Sequence, residues 1–547
     1  MKRFLKIGNQ ARMKYTVFVS FVIIIIGCTS QQSDTSHLSI FHYNEVNNIT
    51  SLDPAFARNQ SNIWVVNQVY STLIQLDDSL KVQPCIAQDW TISDDGLTYT
   101  FNLRDDVFFH DNPCFEGGKG RRMIAEDVKY SFNRIIDAEV GSTGTWLLRG
   151  KIDTIQPFAA PNDSTFVLRL LQPFRPMLGI CGMQYFSIVP KEAVEYYGKD
   201  FRANPVGTGA FQFRKWIENQ ALILTKNPNY FEKDAAGQSL PYLDGIRVNF
   251  VNDRNTAYLN FRIGKLDFLS GLESSYVDDV LKKDGTLRPE NAEKMQFFKT
   301  PFLNFEYLGI NQDFGTDNPL KDKKIRQALN YGFDRKKMLR ELRNSVGQPA
   351  NSGATPIGLP SFDATKVKGY RYNPAKARQL LAEAGYPNAE GLPEITLYTN
   401  NDYLDLCTFI TRQWEDLGVK VKIELLESAT LREMMKKGQA SFFRASWIMD
   451  YPDAENYMSL FYSKNAAPPN YTRFQNAEFD RLYEAALIEN DDNKRFELYH
   501  QMDKIIIEEA PVIFLFYDET ARFAATNVKG LRTNASNLLT LKEVRLE

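Results

Sequence analysis

Residues 394–425 read EITLYTNNDYLDLCTFITRQWEDLGVKVKIEL. Glu394–Thr399 has the length and the Ile/Leu/Thr content of a strand. The stretch around Leu404–Leu417 carries a helical apolar repeat, and Val419–Leu425 alternates Val, Lys, Val, Lys, Ile, Glu, Leu. Strand, helix and strand in that order form a β-α-β unit, which predicts a parallel pair joined by a right-handed crossover. Downstream, a helix over 430–437 leads to an apolar strand, Ala440–Ile448. Upstream, Asn373-Pro374 supplies a cap and a first-turn proline, Leu380, Leu381 and Ala384 form the stripe, and Gly385 ends the helix. Farther back, Trp90–Ser93 and Leu97–Leu103 flank Asp94-Asp95-Gly96 and predict a β-hairpin. Residues 125–136 place Val128, Phe132, Ile135 and Ile136 on one helical face. The chain is α/β and built from several lobes.

That agrees with its size. A chain of 547 residues exceeds what one hydrophobic core serves, so two or three lobes are expected. Charged residues are 24% and the net charge is -2, which gives no basic excess to attract nucleic acid. Aromatic residues reach 13%, enough for a large core and for an aromatic-lined cleft.

The first 27 residues carry Lys2, Arg3, Lys6, Arg12 and Lys14 and no acid. The apolar run Val17–Ile26 that follows is too short to span a bilayer, which takes about 20 residues, and suits the core of a signal peptide. It ends Ile25-Ile26-Gly27-Cys28, which resembles the lipobox of bacterial lipoproteins and predicts lipidation of Cys28. The expected layout is a signal peptide over 1–27 and a tether over 28–38, with translation starting at Met1 or Met13. Loss of the five positive charges would take the net charge from -2 to -7. Cys85, Cys114, Cys181 and Cys407 remain, with no CxxC pair, and both disulfides and free thiols stay open.

Catalytic signatures are missing. There is no G-x-S-x-G, H-E-x-x-H, Walker A or G-x-G-x-x-G pattern. The four histidines, His37, His42, His110 and His500, are too few and too scattered to suggest a multi-histidine metal site. The expectation is a protein that is not an enzyme and has neither metal nor cofactor.

Several blocks carry a family likeness. They are Tyr43-Asn44-Glu45 with Ser51-Leu52-Asp53-Pro54-Ala55; Pro84–Trp90 with Asp94–Arg104; Phe109-His110-Asp111 with Ala125-Glu126-Asp127-Val128; Asn204–Phe211; Asn227–Tyr230; Ile325–Tyr331 with Asp334-Arg335; and Trp447–Asp453. In this order, across nearly the whole chain, they resemble the dipeptide/oligopeptide-binding family (solute-binding family 5) of bacterial ABC importers. The resemblance implies a periplasmic-binding-protein-like fold of two lobes with a hinge, an extra domain and a ligand cleft between the lobes. Lobe I would comprise 39–77, 200–295 and 510–547, the extra domain 78–199, and lobe II 296–509. Two departures stand out: the 112–124 insertion, expected to be a surface extension, and Asn112 in place of the family's glycine.

The function implied is capture of short peptides outside the cytoplasm. The protein would be a lipid-anchored monomer that hands its cargo to ABC permease subunits, facing the periplasm or the exterior. Other cargoes remain in the same fold (a nickel complex, haem, an oligosaccharide), as do a peptide-binding adaptor without transport and an extracytoplasmic hydrolase. By resemblance, Asp450 of the "W-x-x-D" stretch meets a ligand ammonium, and Arg444 occupies a position that can meet a peptide carboxylate. Extended backbone over 442–448 would put Arg444, Ser446 and Ile448 on one face, alternating with Phe443, Ala445 and Trp447. Trp447 and Tyr451 are candidate cleft walls, and Glu45 is a further candidate contact.

Overall fold

The β-α-β unit sits at one edge of a large mixed sheet. The structure, a computed structural model, describes residues 38–547 except Thr316 and, of Ser274, the backbone alone. Ile395–Thr399 and Val421–Leu425 pair in parallel, Ile395 against Val421 through Thr399 against Leu425, with the helix Leu404–Glu415 between them in sequence. Leu406, Cys407, Ile410 and Trp414 form the buried stripe of that helix, at the i, i+1, i+4, i+8 spacing that makes an amphipathic helix pack on a sheet. Phe442–Ile448 joins this edge next to Ile395–Thr399.

The centre of the sheet is two long antiparallel strands, Gln296–Ile310 and Val512–Ala524. Gln296–Thr300 pairs with Thr520–Ala524, and Phe305–Gly309 pairs with Val512–Tyr517. Between them the register slips at Pro301–Phe305. Proline has no N–H to give a ladder, so the pairing must break there. Leu303, inside the slip, turns its hydrogen bonds elsewhere: its N–H reaches the carbonyl of Ala535 (3.2 Å) and its carbonyl accepts from the Met449 N–H (2.8 Å). On one side of this break the two strands carry the β-α-β half. On the other, Phe268–Leu269, Ile40–Glu45, Gly245–Phe250, Ala221–Lys226 and Phe211–Ile217 complete the sheet. Two halves that share only a pair of strands with a register break form a two-lobe fold with a built-in hinge.

The predicted hairpin is the first pair of a separate four-stranded antiparallel sheet. Its order is Ala87–Ile92, Thr98–Leu103, Thr165–Arg169, Phe158–Asn162. Gly96 makes the turn with φ +70°. The helix Ala125–Ile136 buries Val128, Phe132 and Ile135 against this sheet, where Phe132 meets Phe158, Phe166 and Phe186. One apolar core runs through this sheet and the Ile40–Glu45 half, while the β-α-β half has cores of its own.

Asn373 caps Pro374–Glu383 by accepting from the Lys376 N–H (3.0 Å), as its sequence predicts. The 112–124 insertion is tied down by Arg121, which holds both Asp127 (2.7 Å) and Glu192 (2.6 Å). Asn112 accepts from the Cys114 N–H (3.0 Å) and the Tyr197 hydroxyl (3.0 Å). Cys85, Cys114, Cys181 and Cys407 are free thiols. Among the described residues no helix is long and apolar enough to cross a membrane, and no cluster of His, Cys, Asp and Glu could hold a metal. Cys28 and the predicted signal peptide lie outside the described residues.

Candidate ligand cleft

Phe442–Ile448 leaves the sheet and delivers Met449-Asp450-Tyr451-Pro452 to the wall of a cavity of about 420 Å³. Its other walls come from residues 63–85, 179–184, 210–232 and 530–543, so distant parts of the chain converge on it. The volume lies in the usual range for small-ligand sites.

Asp450 is held there by Asn456. The Asn456 side-chain oxygen accepts from the Asp450 N–H (3.0 Å) and from Trp447 Nε1 (2.9 Å), and its Nδ2 donates to Asp450 Oδ2 (3.3 Å). That amide is the carboxylate's only hydrogen-bond donor among the described residues, and no lysine, arginine or histidine lies within ion-pair distance of it. Burial raises the Asp450 pKa above the ordinary aspartate value; the Asn456 amide and the more distant Lys151 pull it down only in part. A carboxylate taken out of water with so little compensation is costly to keep charged, and a cation placed beside it would lower that cost.

The rest of the loop is clamped. Tyr451 and Tyr483 both donate their hydroxyls to Glu455, which is 3% exposed. Asp453 accepts from Arg495 and from the Tyr499 hydroxyl (2.7 Å), and Arg495 also meets Asp492 (3.0 Å). The Tyr451 ring stands edge-on to Phe174 across the loop, at 6.1 Å and 79°.

The five candidates therefore separate. Asp450 and Tyr451 line the cavity together. Trp447 does not; it packs on the core beneath and fixes Asn456. Arg444 is not in the wall; it pairs with the buried Glu306 and lies over the Tyr403 ring. Its charge is already answered. Glu45 ends the strand Ile40–Glu45 outside the cavity wall, 6% exposed, with Oε1 lacking a hydrogen-bond partner. Burial pushes its pKa up to about 8, against the opposing pull of Arg522.

Sequence reasoning missed Asn456 and the amide-rich wall of Asn67, Gln68, Gln75 and Gln184. An asparagine six residues after Asp450, in a loop already rich in Asp and Glu, is the one local signal available. The wall residues come from separate elements, and only the fold brings them together.

Residues 81–469 match the family model "Bacterial extracellular solute-binding proteins, family 5 Middle". The chain is 30% identical over 481 residues to Heme-binding protein A of Haemophilus influenzae, covering 85% of this chain and 84% of that one. Its fold overlays the periplasmic murein tripeptide binding protein MppA, in an unliganded open form, with a TM-score of 0.80 at 23% identity, covering 93% and 98% of the two chains. The periplasmic binding protein DppA of Helicobacter pylori, in complex with the peptide STSA, matches at a TM-score of 0.71 and 25% identity, covering 93% and 98%. With a family match over most of its length and a two-lobe fold around a cleft, the chain belongs to the family 5 bacterial extracellular solute-binding proteins, the substrate-binding components of ABC importers.

Proposed function

We propose that this protein captures short peptides in the cleft beside Asp450 and delivers them to an ABC permease, without chemical turnover. The observation that carries this reading is Asp450 itself, a loop carboxylate with one weak hydrogen bond and no ion-pair partner among the described residues, in the wall of the cavity. A peptide's terminal ammonium supplies the missing charge. Asn67 and Gln184 in the same wall each keep an amide hydrogen beyond their own contacts and can serve a peptide backbone whatever its side chains. The names of similar proteins speak for peptides in two cases and haem in a third. Among the described residues no histidine lines the cavity, which favours the peptide.

In the same reading Cys28 is the lipidated residue that holds the protein at the outer face of a membrane. Lobe I comprises 39–77, 200–295 and 510–547, the extra domain 78–199, and lobe II 296–509. The hinge lies at the Pro301–Phe305 slip.

Mass spectrometry of the gently purified protein tests the cargo. A bound peptide of a few residues, released on denaturation and otherwise intact, is expected. A bound tetrapyrrole or saccharide, or reproducible cleavage of added peptides that a point substitution abolishes, would contradict the reading.

A further inference from the structure

Resting on the peptide reading above, we infer that the cleft selects ligands that are cationic overall, with one ammonium at Asp450 and a neutral hydrogen-bonding body, and that it does not read a ligand carboxylate.

The charges around the cavity carry this. Among the described residues five carboxylates line it (Asp77, Asp78, Glu232, Asp450 and Glu543) against two cations, Arg532 and Lys542. Neither cation is free. Arg532 is bracketed by Glu543 (2.7 Å) and Asp78 (3.4 Å). Lys542 is paired with Glu232 and donates to the side-chain oxygen of Gln75 (2.9 Å). Asp77 spends its oxygens on its own turn, accepting from the Ser79 and Lys81 N–H groups and from Gln83. After these pairings Asp77 and Asp450 are the described lining carboxylates with no cation in ion-pair distance; Asp77 accepts three hydrogen bonds from its own turn and Asp450 one side-chain amide.

Of the cations nearby but outside the wall, two have polar partners, and Lys151 rests on an aromatic ring with no carboxylate among the described residues in ion-pair distance. Arg444 belongs to Glu306. Arg522 donates to Asn537 (2.6 Å) and faces Glu45. Lys151 lies over the Phe174 ring and its charge is felt by two carboxylates, Asp450 and Glu455. A ligand carboxylate at this wall would meet an excess of like charge and, among the described lining residues, no guanidinium or ammonium outside an ion pair. A neutral terminus would meet Asn67, Gln184 and the Ser71 hydroxyl, which serve an amide as well as an acid. Specificity here is built by repulsion as much as by attraction.

Calorimetry with four peptides tests this: Ala-Ala-Ala, its C-terminal amide, Ala-Lys-Ala-amide and Ala-Glu-Ala. The amide should bind within about threefold of the free acid or more tightly, Ala-Lys-Ala-amide more tightly still, and Ala-Glu-Ala weaker by about tenfold or more. A C-terminal amide about tenfold weaker than the free acid would overturn the inference while leaving peptide capture intact. If none of the four binds, the peptide reading falls and this inference with it. A second arm frees Arg532. In the surface double variant Asp78→Asn/Glu543→Gln the free acid should gain at least about threefold over the amide. An unchanged ratio there would mean that masking of Arg532 is not what excludes a carboxylate, and would overturn the inference.

Discussion

At the scale of residues the proposed peptide site turns on Asp450 and on the asparagine that holds it. One amide, Asn456, receives the Asp450 N–H and the Trp447 indole and returns a hydrogen to the carboxylate. Asn456→Ala would orphan all three groups at once. Peptide affinity should fall by about tenfold or more, roughly 1.4 kcal/mol, through a displaced carboxylate. Asn456→Asp loses the donor and sets a second carboxylate beside the first, so peptide affinity should change with pH in a new way. Isothermal calorimetry of both variants checks this, and wild-type affinity in both would make Asn456 a bystander. The pH dependence of the wild type has a definite sign. The free Asp450 carboxyl has a raised pKa, so it takes up a proton earlier than an ordinary aspartate as the pH falls. Affinity for an ammonium is complete above that raised value and is lost below it, by up to about tenfold per pH unit. Asp450→Asn should bind weakly with no such slope.

Among elements, the loop that carries Asp450 is braced by the helix Asp492–Glu509. Arg495 from its first turn and Tyr499 one turn on both hold Asp453. Removing one partner of a buried ion pair leaves the other charge uncompensated, at a cost of about 3–5 kcal/mol. Arg495→Met should therefore lower the thermal midpoint clearly, whereas Lys464→Met, which breaks an exposed pair with Glu484, should shift it very little. Differential scanning calorimetry separates the two, and equal shifts would deny the brace. Elements were also what the sequence made legible. The β-α-β unit, the hairpin turning at Gly96 and the stripe of Ala125–Ile136 are local patterns, written in residues a few positions apart. The central pair Gln296–Ile310 and Val512–Ala524 was not legible, because its partners lie more than 200 residues apart. Arg444 shows the same limit: its place on the strand was readable, but Glu306, on the neighbouring strand, decides what its charge does.

For the whole molecule the two central strands are, among the described residues, the only ones that run through both halves of the sheet, and they slip where Pro301 breaks the ladder. A bend there moves the halves as bodies, and a ligand touching both favours the closed form by its differential contacts. Solution scattering should give a smaller radius of gyration on adding a peptide that binds; superimposable curves would contradict hinge closure. The residues that sequence reasoning grouped at one site divide accordingly. Asp450 and Tyr451 meet at the cavity, Trp447 stands beneath it, and Arg444 and Glu45 have their own surroundings. Sequence order carries no information about which of these a cleft between lobes will gather.

The most direct measurement is a calorimetric double comparison at Asp450. A free peptide and its N-acetylated form are titrated into wild type and into Asp450→Ala. Truncating one member of a buried charge pair costs roughly 2–5 kcal/mol, so the free peptide should lose about 30-fold or more on the substitution. The acetylated peptide should bind wild type poorly and lose far less. Equal affinities of free and acetylated peptide for the wild type would contradict ammonium capture at Asp450, and with it the claim that this cleft was built for a peptide.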